Sequence, residues 1–232
     1  MKPRERLIVA LDLPTPAEAL ALADRLRGEV GMVKVGSELF TAAGPAVVRE
    51  LRARGHHVFI DLKYCDIPNT VARAVAQAAQ LGASLVDVHA LGGRAMLEAA
   101  VGALPAMGTR LLAITVLTSH TEESLAELGV AGGLPASVRR LAQLARDAGL
   151  DGVVCSPHEV ALLREACGQA FVLVTPGIRP AGVSAGDQAR AATPAAALAA
   201  GADYLVVGRP ITSAADPAAA ARAIVADMTQ AL

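Results

Sequence analysis

The sequence predicts an α/β fold of the (β/α)8, or TIM-barrel, class, formed by one domain that spans residues 1–232. Eight short runs rich in β-branched residues alternate with longer Ala-, Leu- and Arg-rich segments of helical period. The short runs are almost continuously apolar, which is typical of parallel strands covered on both faces. The chain length of 232 residues is close to the roughly 250 residues of such a barrel.

The two kinds of segment alternate in order along the whole chain. The predicted strands are residues 7–12, 32–36, 57–63, 85–90, 110–117, 152–156, 171–178 and 204–211. The predicted helices are residues 16–27, 45–55, 69–82, 93–104, 137–149, 158–168, 193–201 and 216–228. An open doubly wound sheet is the alternative fold, but no GxGxxG motif follows the first strand.

One connection, residues 118–136, is longer than the others. It follows the fifth strand, and two interpretations of it are open. It is either a short amphipathic helix in a surface loop or a mobile flap at the mouth of an active site.

Composition excludes several classes of protein. The net charge is −1 with balanced acids and bases, which argues against nucleic acid or an anionic membrane as a partner. The N-terminal apolar run is interrupted by Asp12, so it predicts neither a signal peptide nor a membrane span. Three cysteines at no metal-like spacing fit a reducing compartment, and we therefore expect a cytoplasmic protein.

Charged residues collect where the first three strands end, and the active site of such a barrel lies at that end. Asp12, Lys34, Asp61 and Lys63 are the residues concerned, and Asp66 follows in the next loop. Strand alternation would bring Asp61 and Lys63 to one face, where neighbouring carboxylates keep an ammonium charged. The alternative is a self-satisfied buried ion-pair network, with Asp66 only capping the next helix.

The last two strands end in glycine and arginine, in the segments TPGIRP and VVGRP. Glycine lets backbone N–H groups approach an anion, and arginine binds phosphate through several donors at once. The loops after the seventh and eighth strands are the frequent phosphate site of these barrels. Arg179, Gly208 and Arg209 therefore predict a phosphorylated ligand. The spacing of His, Cys and acidic residues predicts no metal site.

The segment DLKYCDIPNT, residues 61–70, resembles the orotidine 5′-phosphate decarboxylase family, whose motif D-x-K-x-x-D-I-P-N-T is complete here. Further similar segments include LIVALD, KVGSELF, VDVHALGG, AITVLTS, VTPGIRP and VVGRP, in order over essentially the whole chain. The spacing is similar to that of the bacterial branch. The resemblance implies a lyase that converts orotidine 5′-phosphate to UMP and carbon dioxide, the last step of de novo pyrimidine biosynthesis, with no cofactor and no metal.

The resemblance also implies residue roles. Lys63 would donate a proton to C6 of the pyrimidine, within an alternating network of Asp61, Asp66 and Lys34. In the family's homodimer, Asp66, Ile67 and Thr70 reach the neighbouring subunit's site. The substrate contacts implied are Asp12 and Lys34 to the ribose, Thr118 to the pyrimidine, and Gln188, Gly208 and Arg209 to the phosphate, with Arg179 nearby.

Two other functions compete with this interpretation. A 3-hexulose-6-phosphate synthase or a keto-gulonate phosphate decarboxylase also has D-x-K at strand three, but needs a divalent metal. A catalytically silent barrel could bind a nucleotide as a regulatory module. The complete DIPNT and the LTS segment favour the nucleotide decarboxylase over the metal-dependent sugar-phosphate enzymes. The presence of Lys63 together with Asp61 and Asp66 argues against a silent barrel, because binding alone would not need these charges.

Overall fold

The computed structural model describes residues 1–105, 108–180 and 191–231, and it confirms the predicted fold class. Eight parallel strands form a closed barrel in chain order, and β1 closes it by pairing with β8. The strands are β1 (Leu7–Ala10), β2 (Met32–Gly36), β3 (Val58–Tyr64), β4 (Leu85–His89), β5 (Arg110–Ile114), β6 (Gly152–Val154), β7 (Val172–Thr175) and β8 (Tyr204–Val207).

Helices cover the outside of the barrel, and all eight predicted helical segments are helical. A helix immediately after β2, within the segment SELFTAA, was not predicted because it follows the strand without a break. The described helices are α1 (Pro16–Arg25), α2 (Ser37–Ala43), α3 (Ala46–Ala53), α4 (Pro68–Gln80), α5 (Gly93–Gly102), α6 (Glu122–Glu127), α7 (Gly133–Asp147), α8 (Val160–Cys167), α9 (Pro194–Ala199), α10 (Arg209–Thr212) and α11 (Pro217–Thr229).

Several predicted strands were too long at their carboxyl ends. β1 ends at Ala10, so Asp12 stands in the loop after the strand and not within it. The prediction of a strand through residue 211 is wrong, because β8 ends at Val207 and α10 begins at Arg209. Gly208 turns the chain with φ −109° and ψ −109°, and Pro210 has no N–H to donate to a strand partner.

Two apolar layers hold the barrel together. Alternate strand residues point inwards, and Ile8, Phe59, Leu112 and Val206 belong to the cluster inside the barrel. The intervening residues pack outwards against the helices in a larger cluster that includes Ile60. The inner cluster forms a solid floor under the carboxyl ends of the strands, so only the loops and strand ends above it can form a site.

The long connection after β5 contains α6, a short helix whose Leu125 is buried. Thr121 caps this helix by accepting from the backbone N–H of Ser124, and Glu122 accepts from the N–H of Leu134 in α7. The interpretation as a short helix is therefore confirmed, while its opening and closing as a flap stays a prediction. In the described part of the chain, no helix has the length and apolar character needed to cross a bilayer.

Candidate active site

A cavity of about 520 Å³ opens at the carboxyl ends of the strands. Its floor is apolar and includes Ala10, Phe59 and Val206 from the inner cluster. Its wall contains eight of the site residues predicted from the sequence. These are Asp12, Lys34, Asp61, Lys63, Thr118, Arg179, Gly208 and Arg209.

Four of these side chains form a continuous series of ion pairs, which we call the charged row: Asp12, Lys34, Asp61 and Lys63. Lys34 Nζ lies 3.3 Å from Asp12 Oδ1 and 2.9 Å from Asp61 Oδ2. Lys63 Nζ lies 2.5 Å from the other oxygen of Asp61, Oδ1. Asp61 and Lys34 are buried, whereas 38% of the Lys63 side chain is exposed. Of the two lysines that line the cavity, Lys63 is therefore the more accessible to a ligand.

The charges in the row stabilise one another. Burial alone would raise the pKa of Asp61, but the ammonium groups of Lys34 and Lys63 together hold that pKa well below its usual range. Burial alone would lower the pKa of Lys34, but the carboxylates of Asp61 and Asp12 outweigh it and raise the pKa. Both groups are thus ionised at neutral pH.

The backbone at Lys63 departs from a regular strand. Its φ is +51°, and among the described residues other than glycine it alone has a positive φ. The pairing of β3 with β4 is irregular between Ile60 and Tyr64. Alternation nevertheless holds along β3: Ile60, Leu62 and Tyr64 pack outwards, whereas Asp61 and Lys63 line the cavity. The prediction that alternation brings Asp61 and Lys63 to one face is therefore confirmed.

Two residues that support the row were not among the predicted site residues. Asp87, fully buried on β4, accepts a hydrogen bond from the backbone N–H of Lys63 at 2.8 Å. Gly36 leaves room for the first ion pair, because a Cβ there would lie 3.0 Å from both Asp12 Oδ1 and Lys34 Nζ. The sequence did contain a signal for each of them. Asp87 is a carboxylate inside the apolar run VDVHA, and Gly36 is a glycine two residues after the strand lysine Lys34.

Asp66, Ile67 and Thr70 are all exposed and stand outside the cavity of their own chain. Asp66 Oδ1 accepts from the N–H of Ile67 at 2.6 Å. Ile67 is itself the N-cap of α4, and no side chain caps that helix. The alternative interpretation of Asp66 as a helix cap is therefore wrong. The prediction that these three residues act in a neighbouring subunit stays a prediction.

The end of the cavity at β7 and β8 is cationic. Arg179 and Arg209 both line it, and burial together with the positive charge of Arg209 lowers the pKa of Arg179. The backbone N–H of Arg179 donates to the carbonyl of Ala192 at 2.9 Å, and its Nη1 donates to the carbonyl of Ile178 at 2.9 Å. Two guanidinium groups that repel each other form a site suited to an anion. Gln188 lies outside the described residues.

Thr118, in the connection after β5, also lines the cavity. Its hydroxyl is a donor and an acceptor, so it can bind a polar ring. A search of the described ranges, 1–105, 108–180 and 191–231, finds no group of three or more His, Cys, Asp or Glu residues that could hold a metal ion.

Comparisons with known proteins agree with this geometry. Residues 5–224 match the family described as "Orotidine 5'-phosphate decarboxylase / HUMPS family". The chain is 59% identical over 228 residues to a protein named orotidine 5′-phosphate decarboxylase of Halorhodospira halophila, covering 97% of each chain. It is 53% identical over 236 residues to the protein of that name from Moorella thermoacetica, covering 98% of this chain and 94% of the relative.

A solved structure is similar over nearly the full length. The crystal structure of orotidine 5′-phosphate decarboxylase from Lactobacillus acidophilus superimposes with a TM-score of 0.85 at 41% identity, covering 96% of this chain and 98% of the other. The match over residues 5–224 and the relatives above half identity lead to one conclusion: the chain belongs to the orotidine 5′-phosphate decarboxylase / HUMPS family.

Proposed function

We propose that this protein decarboxylates orotidine 5′-phosphate to UMP and carbon dioxide, the last step of de novo UMP synthesis. The observation that carries the proposal is the alternating charged row of Asp12, Lys34, Asp61 and Lys63 in the wall of a cavity that two arginines also line. Relatives that are 53–59% identical carry the name of this enzyme. The cavity volume of about 520 Å³ is in the range that suits a nucleotide.

The charged row and the two arginines suggest how the substrate would lie. The phosphate would bind at the cationic end, where Arg179 and Arg209 supply guanidinium donors and Gly208 lets the backbone approach. Asp12 and Lys34 would bind the ribose hydroxyls, because both side chains line the cavity and can accept or donate a hydrogen bond. Thr118 would bind the pyrimidine ring. In this orientation, C6 and its carboxylate would face Lys63 and Asp61.

The chemistry needs a stabilised carbanion at C6. When the bond from C6 to the carboxylate breaks, the electron pair stays in the ring plane, where the ring carbonyls cannot delocalise it. The Lys63 ammonium would stabilise that charge as it develops and then transfer a proton to C6, which yields UMP. Asp61 would lie near the departing carboxylate, whose negative charge disappears as neutral carbon dioxide leaves. The neutral amine of Lys63 then regains a proton from solvent.

Asp66, Ile67 and Thr70 would complete the site of a second subunit. Their support is that they are exposed and do not line the cavity of their own chain, although they directly follow the charged row in sequence. We infer a homodimer with two shared sites. We also infer that residues 1–232 act as one domain, which the pairing of β1 with β8 supports, and that the protein works in the cytoplasm, which its free cysteines support.

The direct test is a spectrophotometric assay of orotidine 5′-phosphate consumption by the purified protein, with and without EDTA. We expect turnover at the same rate in both samples and UMP as the product. Turnover that EDTA abolishes would favour the metal-dependent sugar-phosphate chemistry instead. Nucleotide binding without turnover would favour a silent binding barrel.

A further inference from the structure

Asp87 lies in the middle of β4 and is completely buried next to the charged row. Its Oδ1 accepts from the backbone N–H of Lys63 at 2.8 Å. Its Oδ2 is also buried, and no N–H or O–H donor within the described part of the chain reaches it. An ionised carboxylate with one oxygen left without a donor is unfavourable in such an environment.

The carboxyl group of Asp61 is the neighbour that explains Oδ2. Ile60 pairs with Val86, so Asp61 and Asp87 follow these partners on neighbouring strands. Two ionised carboxylates can only accept, so Oδ2 of Asp87 gains a partner there only if one of the two groups carries a proton. Asp61 already receives the ammonium groups of Lys34 and Lys63 at 2.9 and 2.5 Å, so Asp61 is the anion and Asp87 carries the proton.

Charge balance leads to the same assignment. The charged row contains two carboxylates and two ammonium groups and is neutral as a whole. A further buried anion at Asp87 would have no cation of its own. Burial and the negative charge of Asp61 raise the pKa of Asp87 well above its ordinary value. The titratable groups that face Asp87 are Asp61, Lys63 and Tyr64 from β3, and its partner on β5 is Leu112.

The neutral acid would have a specific task at Lys63. A positive φ is unfavourable for a residue with a Cβ, and the surrounding structure must hold it. The hydrogen bond from the Lys63 N–H to Asp87 spans 24 residues of sequence and anchors the backbone at that point. The same side chain stands on the strand next to that of Asp61, the partner of the Lys63 ammonium. One residue is thus placed to hold the Lys63 backbone and the Asp61 carboxylate together.

We propose that Asp87 is a positioning residue that works as a neutral carboxylic acid, accepting from the Lys63 backbone N–H through Oδ1 and donating to the Asp61 carboxylate through Oδ2. It would orient the Lys63 ammonium without touching the substrate. The proposal rests on the proposed role of Lys63 in proton transfer, and it goes beyond that role because it assigns a protonation state and a function to a residue outside the charged row.

Two substitutions separate this role from a charged one. An asparagine has the same pattern as a neutral acid, with a carbonyl oxygen to accept and an amide N–H to donate. We expect Asp87→Asn to retain most of the wild-type kcat. Asp87→Ala should lower kcat by about 10- to 100-fold, with a smaller change in KM, because the ammonium is displaced while the substrate contacts remain.

The matched control is Asp151→Ala, which removes another aspartate that accepts a backbone N–H, that of Leu111 at 2.8 Å, at the amino-terminal end of the strands. We expect its kcat to equal that of the wild type. If Asp87→Asn loses as much kcat as Asp87→Ala, the charged form is the working one and the proposal is overturned. A wild-type kcat in Asp87→Ala would overturn it equally.

Infrared spectroscopy provides a readout that needs neither turnover nor a folded alanine variant. The wild-type protein at neutral pH should show the C=O stretching band of a protonated carboxyl group, and Asp87→Asn should lack it. Absence of that band from the wild type would overturn the proposal even if the enzyme is active. Conversely, its presence in a protein without turnover would refute the proposed function and leave the protonation state of Asp87 in place.

Discussion

The ammonium of Lys63 and the carboxylate of Asp61 form an ion pair at 2.5 Å in the wall of the cavity, and the ammonium belongs to the more exposed side chain. Lys34 holds the second oxygen of Asp61 at 2.9 Å, so Asp61 cannot turn away without breaking two contacts. The position of the Lys63 ammonium is therefore fixed before any ligand enters. Such preorganisation lets a charge stabilise a transition state without first reorganising its surroundings.

Arg209 should bind the phosphate of the substrate and contribute little else. We expect Arg209→Ala to weaken UMP binding by about 10- to 100-fold, as the loss of a charge-assisted hydrogen bond does. The affinity for uridine, which has no phosphate, should stay the same. Isothermal titration with UMP and with uridine measures both.

The matched control for Arg209 is Arg222→Ala on α11, where Arg222 pairs with Glu29 at 2.7 Å and does not line the cavity. It should bind UMP like the wild type. Equal losses of UMP and uridine affinity in Arg209→Ala would contradict the assignment, because they would indicate a distorted site and not a lost phosphate contact.

Asp66 should act in the site of the neighbouring subunit. Asp66→Ala and Lys63→Ala chains should each be nearly inactive alone, but a heterodimer of the two contains one site with both residues intact. Random mixing gives heterodimers in half of the dimers, so about one quarter of the sites should recover. The measurement is the turnover of orotidine 5′-phosphate after the two variants are unfolded and refolded together. No recovery, with heterodimers verified by mass spectrometry, would contradict shared sites.

The raised pKa of Asp87 has a consequence for stability. Below about pH 4, Asp87 is protonated in both the folded and the unfolded chain. As the pH rises, the unfolded chain loses this proton while the folded chain keeps it, so the wild type loses stability up to the folded pKa. Relative to Asp87→Asn, the free energy of unfolding of the wild type should fall by about 1.4 kcal/mol per pH unit in this window.

Urea unfolding of both proteins between pH 4 and 7 measures that difference. The lowered pKa of Asp61 gives a slope of the opposite sign, since its stabilisation is lost as the pH falls, but it contributes to both proteins and largely cancels. A difference in unfolding free energy that does not change with pH would show that Asp87 ionises normally in the folded chain.

The sequence predicted the barrel and most of the cavity wall because both depend on local patterns. An apolar run ending in a charged residue marks the carboxyl end of a strand, and Asp12, Lys34 and Asp61 were found in this way. Arg179 and Arg209 were found because they follow the last two predicted strands. For all of these residues, the spacing along the chain was enough to predict that they lie at the same end of the barrel.

The left-handed backbone at Lys63 could not be predicted, because no local signal distinguishes it. A lysine in a strand pattern predicts extended φ, whereas Lys63 has a positive φ and its N–H donates to Asp87, which lies 24 residues further along the chain. The role of Asp87 could not be predicted for the same reason, because nothing in the run VDVHA links it to a lysine 24 residues earlier. Helix α10 was missed for a simpler reason, since VVGRPI continues an apolar run across the glycine that ends the strand.

The central claim is that Lys63 donates the proton to C6, and its most direct test is the turnover of Lys63→Ala beside that of Lys2→Ala, which removes an exposed lysine that does not line the cavity. We expect Lys63→Ala to fold, to bind UMP, and to lose kcat by at least about 10⁴-fold, since both charge stabilisation and proton donation are removed. Lys2→Ala should turn over like the wild type. A kcat of Lys63→Ala near the wild-type value would contradict the account.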